Sequence, residues 1–255
     1  MSALYCLAHG KEGMGINNHA KPPEDEATSE VSEIEEQEEE GTMTDNIEVF
    51  TQSSIRIKGS VGTIYVDPFR MTENPKDADY IFITHDHYDH YSTDDIAKVI
   101  SYGETIIIAP EKLGATIKSE VSRFSDVISV KPGNSYEESG IQFDTVASYN
   151  LNKSFHPKES GWCGYVLDVD GTRIYIAGDT DATEEAKQVS CDIAMVPIGG
   201  TYTMTPTEAA ALINEISPKA AIPTHFGSIV GSPADADAFE KQVDASITVE
   251  RKIRF

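Results

Sequence analysis

Residues 80–90 read Tyr-Ile-Phe-Ile-Thr-His-Asp-His-Tyr-Asp-His, an apolar run that stops abruptly at three imidazoles and two carboxylates. Of all features in the chain this one constrains the fold most, because a strand apolar enough to be buried must end at a rim that tolerates five such groups in six positions. In extended chain, residues two apart project the same way, so His85 and His87 can share one ion, and the turn that follows delivers Asp89 and His90 to a neighbouring position. A lone His or Asp at a strand end usually caps a turn or meets solvent. Here the carboxylates repel one another and lose hydration beside an apolar strand, a costly arrangement unless cations compensate. The H-x-H-x-D-H spacing pairs nitrogen and carboxylate donors as zinc sites do.

Around this run the pattern alternates. β-rich runs at 49–57 and 63–66 flank Lys58-Gly59-Ser60 and read as a hairpin. Further strands are expected at 80–84, 105–109, 127–130, 141–147, 163–169, 172–177, 192–197, 219–223 and 246–250, and helices at 92–101, 110–118, 182–188, 206–216 and 233–243. Strands in clusters, then strands alternating with helices, imply an α/β protein of four layers, an αββα sandwich of two mixed sheets with helices outside. No internal repeat of fixed period is visible.

Residues 1–42 hold 11 Asp or Glu against 2 Lys and few large apolar side chains, so they are expected to form a disordered acidic tail ahead of a globular domain over 43–255. Met43 is a candidate alternative start. The tail accounts for −9 of the formal charge of −23, leaving −14 on the rest. Such a surface repels a phosphate backbone, so general nucleic-acid binding is not expected. No apolar stretch approaches the roughly 18 residues of a membrane span, and no leader pattern stands at the amino terminus, so a cytoplasmic location is the default expectation. Cys6, Cys163 and Cys191 suggest neither a disulfide framework nor a Cys-rich metal knot, although Cys163 lies close in sequence to His156. Nothing in the sequence fixes an oligomeric state.

His85-x-His87-x-Asp89-His90 resembles the signature of the metallo-β-lactamase superfamily, and other positions follow that family's order. Asp67, in Val66-Asp67-Pro68, matches its early aspartate, which supports the ligand loop. Asp179, in Gly178-Asp179-Thr180, matches its bridging aspartate, and His225, in Pro223-Thr224-His225, its last histidine. Between the first cluster and Asp179 the family supplies one more histidine. Here two residues compete: Asn150 stands where relatives carry it, directly after strand 141–147, and His156 follows six residues later.

The resemblance implies His85, His87 and His156 on one divalent ion, Asp89, His90 and His225 on a second, and Asp179 between them. Asp89, His90 and Asp179 would be the groups closest to the chemistry. Two zinc ions, or manganese, about 3.5–4 Å apart would activate water for attack on an ester, lactone or phosphodiester bond. A small anionic substrate is expected. Lys153 and Lys158, which with His156 form a basic stretch, are candidate contacts for it or belong to an ordinary solvated loop. Asn150 is also a candidate contact, and Thr201 and Tyr202 in the Gly199-Gly200-Thr201-Tyr202-Thr203-Met204 connection either line the pocket or merely link two elements. Within the superfamily, Pro197-Ile198-Gly199-Gly200 and Pro223-Thr224-His225 look like the small L-ascorbate-6-phosphate lactonase-like group. Two rivals stand beside the hydrolase: a diiron redox protein on the same fold, in whose relatives a carboxylate replaces the residue at His87, and a non-catalytic binding module with a degenerate site.

Overall fold

The structure, a computed structural model, describes residues 42–253; the expected acidic tail, residue 42 apart, lies outside the described residues. In the first sheet, β1 (Ile47–Val49), β2 (Ile55–Gly59) and β3 (Gly62–Val66) form an antiparallel meander, and β4 (Tyr80–Phe82), β5 (Ile106–Pro110) and β6 (Asp126–Val130) extend it in parallel. Helices α1 (Thr93–Val99) and α2 (Glu111–Glu120) are the crossovers. The second sheet repeats the scheme. β7 (Ser135–Glu138), β8 (Ile141–Ala147), β9 (Cys163–Val169) and β10 (Thr172–Ile176) are antiparallel, and β11 (Ile193–Pro197), β12 (Ala220–Thr224) and β13 (Thr248–Val249) follow in parallel. Helices α3 (Glu184–Lys187), α4 (Pro206–Ile216) and α5 (Ala234–Glu240) belong to this half. The halves therefore share a build order that leaves no periodic trace in the sequence.

Alternation along each strand divides the core. Ile64 and Val66 join the cluster that contains Phe143, Tyr165 and Leu167 of the second sheet, whereas Tyr65 between them joins Ile96, Val99, Leu113 and Ile117 of α1 and α2. Two-residue periodicity thus gives the first sheet one face for its partner sheet and one for its helices. Phe82 anchors the seam, edge-on to Phe143 at 5.1 Å and to Tyr165 at 5.0 Å. The architecture is the expected αββα sandwich.

Several boundaries differ from expectation. The run 49–57 is broken by a turn in which the Phe50 and Ser54 amides donate to the Ser54 and Thr51 carbonyls. β7 was not anticipated, because Ser-Tyr-Glu-Glu at a sheet edge has no buried alternation to announce it. The segment 182–188 yields only the four residues of α3, and 246–250 only the two of β13. By contrast α4 spans 206–216 as the sequence implies, with Pro206 in its first turn and a reciprocal capping box between Thr205 and Glu208.

Direction of travel fixes where function can sit. β8, β10, β11 and β12 all run the same way, since two antiparallel steps separate β8 from β10, so their carboxyl ends share one edge of the second sheet. β3 and β4 likewise end together in the first sheet. The Tyr165 hydroxyl donates to the Ile83 carbonyl at 2.7 Å and the Cys163 amide to the Thr84 carbonyl at 3.2 Å, tying the end of β4 to the start of β9. No helix among the described residues is long and apolar enough to cross a membrane.

Candidate metal centre

The shared edge gathers residues that are far apart in sequence. Asp67 follows β3, the His85–His90 run follows β4, Asn150 and His156 follow β8, Asp179 follows β10 and His225 follows β12. Asp67 and His225 both adopt positive φ, 45° and 55°, a conformation that costs a non-glycine residue and is retained where the surroundings enforce it. His90 is brought back under His87 by a turn in which the His90 and Tyr91 amides donate to the His87 carbonyl.

Hydrogen bonds behind the imidazoles dictate which nitrogen faces the site. Asp67, fully buried, accepts from the Thr84 amide at 2.8 Å, from the Thr84 hydroxyl at 2.6 Å and from His90 Nδ1 at 2.7 Å. A carboxylate only accepts, so His90 carries a proton on Nδ1 and turns Nε2 toward the site. Because the Thr84 hydroxyl proton is committed to Asp67, its oxygen accepts from His85 Nδ1 at 3.0 Å, and His85 too presents Nε2. His156 does the same through Asn150, whose Oδ1 accepts from the His156 amide at 3.1 Å and from its Nδ1 at 3.0 Å. The Asn150 orientation is held by its Nδ2, which donates to Asp181 Oδ1 and to the Tyr202 carbonyl.

Three buried Nε2 atoms, those of His85, His90 and His156, consequently lack a hydrogen-bond partner among the described residues, as does Asp179 Oδ1. Buried polar atoms are rarely left so, and lone pairs converging on one space are what a cation satisfies. The donor atoms of His85, His87 and His156 lie within 4.8 Å of one another, as do those of Asp89, His90 and His225, and those of His85, His90 and Asp179. Asp179 stands between the first two groups. Its Oδ2 is 3.3 Å from His156 Nε2 and 3.1 Å from His225 Nε2, and its Oδ1 is 3.3 Å from His90 Nε2. The residues fit a divalent metal centre.

Charge explains the proton preferences. Burial would raise the Asp179 carboxyl, but the imidazoles of His225 and His90 beside it hold it well below the usual carboxylate range. Burial would lower His90, yet Asp179 and Asp67 outweigh it and raise it well above its ordinary value. His225 is lifted to about 9, Asp179 again overcoming burial. His85, with less carboxylate around it, is pushed well below its ordinary value by burial and by neighbouring His90.

The other sequence candidates fall into place around this centre. Asn150 stands behind His156 and does not replace it. Lys153 is bound to Asp181 at 2.6 Å, and Lys158 to Glu185 at 2.6 Å while lying over the Tyr149 ring, so both ammonium groups already have a carboxylate partner. Thr201 is exposed with its amide on the Gly199 carbonyl, and Tyr202 packs edge-on against Phe155 at 4.7 Å. Cys163 begins β9 close to Thr84, but burial pushes its thiol up to about 12 and makes it no nucleophile.

Two residues went unnoticed in the sequence. Trp162 sets its ring 5.0 Å from those of His85 and His87 and 5.6 Å from that of His156. Gln52, buried and at positive φ, donates from Nε2 to Asp89 at 3.4 Å while its carbonyl accepts from the His225 amide at 2.9 Å. Neither belongs to a spaced motif, so only the folded chain reveals them.

Comparison with known proteins agrees with this geometry. Residues 46–225 match the family described as the beta-lactamase superfamily domain. The chain belongs to the metallo-β-lactamase superfamily. Within this superfamily it is 31% identical over 206 residues to a UPF0173 metal-dependent hydrolase of Symbiobacterium thermophilum, covering 75% of this chain and 88% of that one. A candidate metal-dependent hydrolase from Parabacteroides distasonis matches in structure with a TM-score of 0.66 and 29% identity, over 82% of this chain and 93% of the other. The superfamily fold is not confined to hydrolases. CmlA, a diiron β-hydroxylase from Streptomyces venezuelae, shares it with a TM-score of 0.63 at 13% identity, over 80% of this chain and 52% of that one.

Proposed function

We propose that the chain is a dinuclear metal-dependent hydrolase acting with activated water on an ester, lactone or phosphodiester bond. The observation that carries this reading is the set of buried, inward-facing Nε2 atoms of His85, His90 and His156 converging around Asp179. His85, His87 and His156 would hold one ion, Asp89, His90 and His225 the other, with Asp179 reaching both. Such ions supply a lowered water pKa and a positive field for a developing oxyanion.

The chain's own residues prepare that chemistry. Asp67, Thr84 and Asn150 hold the outer nitrogens of three imidazoles, which turns the inner nitrogens toward the centre. Gln52 holds Asp89 and the His225 backbone together. Asp179 and Asp89 stay ionised and so remain available as proton acceptors and anchors; burial opposes this in both, and the surrounding imidazoles overcome it. Trp162 covers the side of the centre built from His85, His87 and His156.

Imidazole-rich donors favour zinc, with manganese as the alternative. Nitrogen at His87 argues against the diiron redox reading. The likeness to L-ascorbate-6-phosphate lactonase-like enzymes rests on the segments 197–200 and 223–225 and keeps a lactone beside the ester and the phosphodiester. Net charge favours a small molecule over nucleic acid, and a cytoplasmic location is part of the same proposal. Metal analysis of the purified chain, followed by a panel of lactones, thioesters and bis-p-nitrophenyl phosphate, tests the reading. Bound zinc with turnover of a panel member is expected; tightly bound iron with oxygen-dependent turnover would replace it with the redox reading.

A further inference from the structure

Large apolar side chains left in water are few, and they are not scattered. Among the described residues they are Met43, Tyr88, Tyr102, Leu151 and Phe155. Three of the five stand on the two loops that carry the histidines: Tyr88, 66% exposed, lies between His87 and Asp89, and Leu151 and Phe155, 54% and 46% exposed, lie between Asn150 and His156. Exposed apolar residues on the very loops that carry the histidines stand where a bound substrate would meet them.

The second loop presents its apolar residues from a fixed frame. The Asn150 amide donates to the His156 carbonyl at 2.7 Å, closing the loop, and the Leu151 amide donates to Asp181 at 2.8 Å. Phe155 is buttressed edge-on by Tyr202, whose carbonyl accepts from Asn150. The hydrogen bonds that aim His156 therefore also hold up Leu151 and Phe155. Charge in the same loop is spent internally, Lys153 on Asp181 and Lys158 on Glu185, so these ammonium groups offer little to an anion.

Resting on the hydrolase reading above, we propose that the substrate carries an apolar alkyl or aryl group beside its scissile bond, and that Leu151, Phe155 and Tyr202 bind this group, with Tyr88 on the other histidine loop. The specificity of the site is then hydrophobic on this side, in place of the anion recognition that Lys153 and Lys158 suggest in the sequence.

Two series of substrates with acyl or alkyl chains of two to eight carbons test this, p-nitrophenyl carboxylic esters and alkyl p-nitrophenyl phosphates, with zinc-loaded full chain. The slope is read on whichever bond is cleaved. In the wild type kcat/KM should rise with each methylene by up to roughly fourfold, the transfer free energy of one CH2 expressed as a ratio. Leu151→Ala/Phe155→Ala should flatten the slope at unchanged zinc content and melting temperature, and Tyr102→Ser, an exposed aromatic elsewhere, should keep it. Turnover with a flat series in the wild type, or a slope that survives the double substitution, overturns the apolar subsite and leaves the hydrolase intact. Absence of turnover for both series and for every lactone and thioester removes the hydrolase reading itself, and the inference with it.

Discussion

Asn150 and His156 divide between them a task that the sequence offers to either alone. The amide oxygen fixes the ring and its proton, and the ring then presents a lone pair. Asn150→Ala should weaken metal binding by about 10–100-fold, the usual loss when a group that orients a ligand is removed, whereas His156→Ala should remove one ion outright. Trp162, the single tryptophan, lies against three of the imidazoles, so its fluorescence during metal titration reads both outcomes. Gly178 is a second sensitive position. It has φ +65°, and a Cβ there would sit 3.1 Å from Thr84 Cβ and 3.2 Å from Ser148 Oγ. Gly178→Ala should therefore cost about 1–2 kcal/mol in backbone strain, measured by denaturant melts, and should lower metal affinity by displacing Thr84, which positions both Asp67 and His85. The 85–90 run was legible because so many ionisable groups at one strand end have a single economical explanation. The choice between Asn150 and His156 was not, because it depends on how a loop closes, and loop closure has no periodicity to read.

At the scale of elements, α1 is fastened by one side chain. Asp95 accepts from the amides of Arg70 and Met71 at 2.9 and 3.0 Å, from Lys98 and from Ser92, whose hydroxyl in turn caps the helix. Burial would raise this carboxyl, but Lys98, Ser92 and the two amides together hold it below its ordinary 3.8. Asp95 therefore contributes stability that is fully present above pH 3.8 and is lost as pH falls through its lower folded-state value. Asp95→Ala should cost about 2–3 kcal/mol at pH 7, and the gap from wild type should narrow below pH 3.8; melting curves across pH 7 to 2.5 check both. Elements rich in apolar residues that face a core were readable from sequence, as β4, β8 and β10 show. β7 was not, since it is an edge strand with no buried residue, and neither was the turn after β1, where the polar residues Gln52 and Ser54 are buried and hydrogen-bonded.

The whole molecule places its candidate centre between two sheets, with His85 to His90 supplied by one and His156, Asp179 and His225 by the other. An ion there joins the two halves, so metal should stabilise the fold by mass action. At free metal 100-fold above Kd this amounts to about 2.7 kcal/mol, on the order of 5–10 °C in Tm for a domain of this size, and chelation should remove it. If imidazoles and carboxylates drawn from both sheets hold two cations, as proposed, equilibrium dialysis against zinc with elemental analysis counts them. The wild-type chain should retain two equivalents, and His156→Ala and His90→Ala should each retain fewer while remaining folded. A wild-type chain that binds no zinc, or variants that keep the full complement, would rule out a centre built from these side chains.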